Sequence, residues 1–181
     1  MRIVTYLFGV KTKQMREDLT SEGIFAYLHK KEGRWCRPFT DKVVGTVLYL
    51  TKGHSAFCRS LIKPQKLASK EVTVDINQND TMLIQIRLAI GGRERAMEIN
   101  AYGTMLVEEM GMKVRQLKHI KRGFGDITYN DKENDIIVDV ACADFLFDVE
   151  IIDIEKFKKA YLQGIGTHRE YGCGMITVRK K

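Results

Sequence analysis

"DIEKFKKAYLQGIGTHREYGCGMITVRK", residues 153–180, decides the reading of the fold. Its first part carries Ile154, Phe157, Tyr161 and Leu162 at helical spacing, with Asp153 placed to cap the first turn. Its end, "MITVRK", reads as a short strand. Between them lie Gly164, Gly166, Gly172 and Gly174, four glycines in eleven positions. Ordering glycine costs more backbone entropy than ordering any other residue, so this density asks for a reason. A left-handed helix stop accounts for Gly164 alone. A loop whose amides face an anion, with His168 and Arg169 inside it, accounts for more. The order helix, loop, strand excludes a P-loop, which needs Gly-Lys-Ser/Thr entering a helix. It also excludes a dinucleotide fingerprint, which needs the strand first.

Working outward, "TMLIQIRLAI" reads as a strand and "RAMEINAYGTMLVEEMG" as a helix closed by Gly111. "KVRQLKHIKRG" and "FGDITYN" read as paired β segments, and "NDIIVDVACADFLFDVEII" as one long strand or two. With the closing helix and strand this makes β-α-β-β-α-β. The first half repeats the theme: the strand "RIVTYLFGV", the helix "SEGIFAYLHKKE", the strands "VVGTVLYL" and "SAFCRSLI" around Gly53, "KPQKLASK" with turn character where the theme asks for a weak second helix, and "EVTVDI". The expected fold is α+β, two tandem ferredoxin-like (RRM-like) domains, 1–78 and 81–181, joined at "NQND", residues 77–80.

The chain has 181 residues, 44% hydrophobic and 29% charged, as an ordinary globular protein does. Its net charge of +7 favours a polyanionic partner. The excess is concentrated in "VRQLKHIKR" (114–122) and the terminal "VRKK", whereas "DKENDIIVDVACADFLFDVEIIDIE" is acidic. Cys36, Cys58, Cys142 and Cys173 form no C-x-x-C pair and no regular spacing with the four histidines. No metal site and no cofactor are therefore expected, and the thiols read as isolated groups in a reducing compartment. No apolar run approaches the ~20 residues that span a bilayer, and the N-terminus lacks the flanks of a signal peptide. The expected location is the cytoplasm, with no membrane partner.

Residues 145–178, "FLFDVEIIDIEKFKKAYLQGIGTHREYGCGMITV", resemble the C-terminus of the CRISPR precursor-RNA processing endoribonucleases of the CasE type. That family shows a strand, an Asp-initiated helix with an internal Phe, Gly-h-Gly, a basic stretch, and Gly-x-Gly before the last strand. "YLHKK" resembles its N-terminal helix bearing the catalytic histidine, and "TVLYL…SAFCRSLIKP" its next two strands. "TMLIQIRLAIGGRERAMEI…MLVEEMGMKV" resembles the start of its second domain. The resemblance implies two ferredoxin-like domains, CRISPR repeat RNA as substrate, and other subunits of a Cascade-like complex as partners. It also implies metal-independent cleavage at the 3′ base of each repeat hairpin. The ribose 2′-OH attacks the adjacent phosphate, leaving a 2′,3′-cyclic phosphate and a 5′-OH, and the processed RNA can stay bound.

On this resemblance His29 is the candidate acid–base group, since an imidazole with pKa near 6.5 moves protons at neutral pH. Tyr27 and Lys30 are its candidate assistants, although Ala26 stands where the family often carries tyrosine. Lys31, Arg34 and Arg37 are further cations that can stabilise a pentacovalent phosphate. His54, in a turn between strands, is the rival histidine. Arg115, Lys118, Lys121 and Arg122 are the expected RNA-binding residues, with His119 among them and Arg93 and Arg95 of "GGRER" as weaker ones. The loop residues Gly164, Gly166, His168, Arg169, Gly172 and Gly174 are expected to position RNA phosphate. Two rivals remain: a non-catalytic RNA-binding subunit of such a complex, and a small RRM-like RNA-binding regulator. The second lacks the paired sheet aromatics that RRM domains use.

Overall fold

The computed structural model describes residues 1–11, 47–51, 55–90, 98–130, 135–169 and 172–179. Alternation builds the strands. In β5 (Thr81–Ala89), Met82, Ile84, Ile86 and Leu88 are buried, while the residues between them through Arg87 are more exposed. β5 lies in a four-stranded sheet with β6 (Met112–Asn130), β7 (Asp135–Ile151) and β8 (Thr177–Arg179), in the order β6-β7-β5-β8. That is the second sheet along the chain; the first holds β1 (Arg2–Lys11), β2 (Val47–Thr51), β3 (Ser55–Ser60) and β4 (Lys70–Asp75), in the order β2-β3-β1-β4. All pairings are antiparallel. In each sheet the third strand inserts between the first and second, and the fourth flanks the first. That is the ferredoxin-like arrangement the sequence led us to expect.

Two helices occur among the described residues, α1 (Ile99–Glu109) and α2 (Ile154–Gln163). Both pack on one face of the β5–β8 sheet. Val107 of α1 and Phe157, Ala160 and Tyr161 of α2 meet Ile84, Phe145, Phe147 and Val149 in one buried cluster. Fully burying each such large apolar side chain contributes about 1.5–3 kcal/mol. Ile3 and Val74 of the first sheet, with Ile76 just after β4, join the same cluster, so the two sheets share a core. Between β4 and β5 the chain turns tightly: the Asn77 amide donates to the Asp80 carboxylate at 2.7 Å. Among the described residues no helix is long and apolar enough to cross a membrane.

Two expectations change. Residues 61–69, between β3 and β4, form bends and not a second helix. The Ser60 hydroxyl accepts from the Ile62 amide and donates to the Ile62 carbonyl, both at 2.9 Å, which ties the first residues into a local turn. Pro64 then supplies no amide donor. Nor are "KVRQLKHIKRG" and "FGDITYN" two paired strands. They are one strand, β6, and the partner of both is β7. Gly123 and Gly125, where the two segments meet, sit within the ladder, opposite Cys142 and Val140. The helix "SEGIFAYLHKKE" lies outside the described residues.

Candidate nucleic-acid interface

Strand β6 is an edge strand of its sheet. Its apolar residues Val114, Leu117 and Ile120 recur every third position, a spacing that suits a helix, yet all three pack against the core. Two register shifts reconcile this, one between Val114 and Gln116 and one between Leu117 and His119. Each inserts one extra residue: Arg115 in the first bulge, Lys118 in the second. The bulges keep the apolar side inward while setting cations on the outside. Lys113, Arg115, Lys118 and Lys121 are all exposed. Lys118 Nζ lies 4.0 Å from the Asp148 carboxylate of β7, a contact worth little at such exposure. The backbone of Arg122 continues the same strand opposite Ala143, as that of His119 does opposite Leu146.

Pairing of β5 with β7 stops at Cys142, whereas β6 and β7 stay paired to Asn130 and Asp135. Phe124–Asn130 and Asp135–Ala141 thus extend as a two-stranded ribbon beyond β5, about 20 Å long at ~3.3 Å per residue. The expected basic hairpin is divided in charge. Its cations lie along the part of β6 backed by the sheet, and the stretch from Asp126 to Asp139 holds five carboxylates and one lysine.

The glycine loop is built from backbone packed on backbone. Ile165 N–H donates to Gly174 O at 3.0 Å, and Gly174 N–H to Arg87 O at 2.7 Å. A Cβ on Gly174 would lie 2.2 Å from the Ile165 carbonyl oxygen. Gly164 ends α2 with φ 78° and ψ 169°, a region that essentially only glycine enters, and not the left-handed helical conformation its position suggested. The amides of Gly164, Ile165, Gly172, Cys173 and Gly174 all donate to backbone carbonyls, so these five are engaged within the chain. Thr167 is exposed; Gly166, His168 and Arg169 are half-buried. His168 has φ 56°, and its Nδ1 lies 3.1 Å from the Thr167 hydroxyl. Arg169 turns back and donates to Gln163 O at 3.2 Å, at the C-terminal end of α2.

Beside the loop, Arg87 makes a two-point contact with Asp144, at 2.7 and 3.0 Å. The pair borders a cavity of about 260 Å³ between β1 and the second sheet, lined also by Leu7, Gln85, Met175 and Arg179. Sequence reasoning passed over Arg87. Its signal was the polar alternation of "QIRLA" facing that of "ADFLFD" on the paired strand. His29, Tyr27 and Lys30 lie outside the described residues, as do His54, Arg93 and Arg95. Among the described candidates, the structure sets the exposed row on β6 at one edge of the sheet and the loop feeding β8 at the other.

The pattern of the family described as CRISPR associated protein matches residues 63–180. Several solved structures share the fold. CRISPR endoribonuclease Cse3 bound to a 19 nt RNA aligns over 98% of this chain and 100% of its own, with TM-score 0.67 and 13% identity. Thermus thermophilus Cse3 bound to an RNA representing a pre-cleavage complex aligns over 99% of both chains, with TM-score 0.62 and 12% identity. Cas6e from Escherichia coli K-12 aligns over 100% of both, with TM-score 0.59 and 12% identity. No curated protein matches the chain.

Proposed function

The chain belongs to the CRISPR-associated protein family, and from that premise we propose that it is an endoribonuclease that processes CRISPR precursor RNA. The observation that carries this reading is the exposed row Arg115, Lys118 and Lys121 on edge strand β6. It stands on a fold that aligns end to end with an endoribonuclease bound to RNA. Cations held on a bulged strand neutralise phosphates and recognise the shape of an RNA hairpin, whose deep groove admits little base reading.

Cleavage takes place at the 3′ base of the repeat hairpin. The nucleophile is the substrate's own 2′-OH, held next to the phosphate it attacks, so the reaction is intramolecular and needs no metal-bound water. The 2′ oxygen bonds to phosphorus and the bond to the 5′ oxygen breaks, giving a 2′,3′-cyclic phosphate and a 5′-OH. His29 moves the proton as general acid or base, with Tyr27 and Lys30 as its candidate assistants and Lys30 meeting the charge on the phosphate. In this reading the joint at 77–80 divides the labour: chemistry in residues 1–78, RNA grip in 81–181. The RNA stays with the protein inside a Cascade-like complex.

Incubation of the purified chain with a repeat hairpin in excess EDTA tests the proposal. We expect one cut at the hairpin base with the ends named above. Binding without any cut under all conditions would favour the non-catalytic subunit instead.

A further inference from the structure

The largest side chain wholly buried in the described structure is a cation. Arg59 of β3 is 1% exposed. Its guanidinium lies over the Tyr161 ring, 3.9 Å from the centroid, and its Nη1 donates to Tyr161 O at 2.9 Å. Its Nε has no hydrogen-bond partner, and among the described residues no carboxylate pairs with it. Burial lowers its pKa to about 10. An uncompensated buried charge is among the most unfavourable groups a core can hold, and an apolar side chain of similar volume would fill the same space.

The acceptor explains the cation. Tyr161 O belongs to the last turn of α2, whose final carbonyls have no intrahelical donor. That turn contains no basic residue of its own. Its carbonyls are met from three directions: Ala160 O by the Gly164 amide, Gln163 O by Arg169, and Tyr161 O by Arg59 from the other sheet. A cation at this end also opposes the negative pole of the helix dipole. The glycine loop leaves α2 immediately afterwards, and its far foot hangs from Arg87 O on β5.

We propose that Arg59 is a positioning residue that docks the first sheet onto the C-terminal end of α2 and thereby fixes the glycine loop. Its consequence for RNA rests on the functional reading above. The planar guanidinium stacks and donates at once, which a lysine ammonium does only in part.

The test compares Arg59→Met and Arg59→Lys with the wild-type chain by amide hydrogen exchange of the free protein. In Arg59→Met the peptides spanning 164–174 exchange about tenfold faster, while those of β5 and β7 keep their wild-type rates. Arg59→Lys lies between Arg59→Met and wild type, and decides the matter alone if Arg59→Met does not fold. Wild-type loop exchange in every variant that folds would overturn the proposal. Equal acceleration of the loop and both sheets would overturn it too, by showing Arg59 to be only a packing residue. Repeat-hairpin affinity, measured alongside, falls several-fold in Arg59→Met and recovers in Arg59→Lys. A wild-type chain that binds no hairpin would sink the functional reading and leave the exchange result to judge Arg59.

Discussion

A single methyl group at Gly174 would lie 2.2 Å from the Ile165 carbonyl oxygen, with the backbone at φ 88°. Neither backbone can retreat, because Gly174 is bonded on both sides. Gly174→Ala is therefore expected to lose on the order of 2–4 kcal/mol of stability in denaturant unfolding. Asp153 accepts from the Lys156 amide at 3.0 Å as an N-cap, and Asp153→Ala should cost about 1 kcal/mol. The proposed acid–base histidine should behave differently. His29→Ala should slow cleavage by about 100 to 10,000-fold and leave hairpin affinity nearly unchanged. A dead His54→Ala beside an active His29→Ala would reverse that assignment. The cap at Asp153 and the stop at Gly164 were legible because both act on neighbours within four residues. Arg59 was not, since its acceptor is 102 residues away and only the folded chain brings it there.

At the level of elements, β6 shows why the rest was hard to read. Its apolar residues follow a period of three and its glycines imitate a turn, so a strand with two bulges passes for a broken hairpin. The alternation of β5 and β7 was plain, because each buries one face and pairs without a shift. The same bulges carry the cations of the proposed grip. Replacing Arg115, Lys118, Lys121 and Arg122 together by Ala should weaken hairpin binding and flatten its salt dependence, each lost phosphate contact removing ~0.9 from the log–log slope. The cleavage rate at saturating protein should fall far less than in His29→Ala. An unchanged salt slope would mean that these cations serve only to keep an edge strand from pairing.

Across the whole molecule, two sheets of the same strand order share one core, yet the charge is distributed unevenly over them. The cations of β6 follow one strand, the carboxylates of 126–139 follow its extension, and His29 belongs to the other half of the sequence. On the proposed mechanism, grip and proton transfer act on one RNA from separate parts of the sequence. In the proposed mechanism the substrate brings its own nucleophile, and removing that nucleophile is the most direct probe. The measurement is cleavage of two repeat hairpins in excess EDTA, one all-ribose and one with a single 2′-deoxy nucleotide before the cut, with the product ends identified by mass. The all-ribose RNA should give a 2′,3′-cyclic phosphate and a 5′-OH, while the deoxy RNA binds with equal affinity and stays intact. Cutting of the deoxy RNA, or a 5′-phosphate product that appears only when a divalent metal is restored, would contradict it.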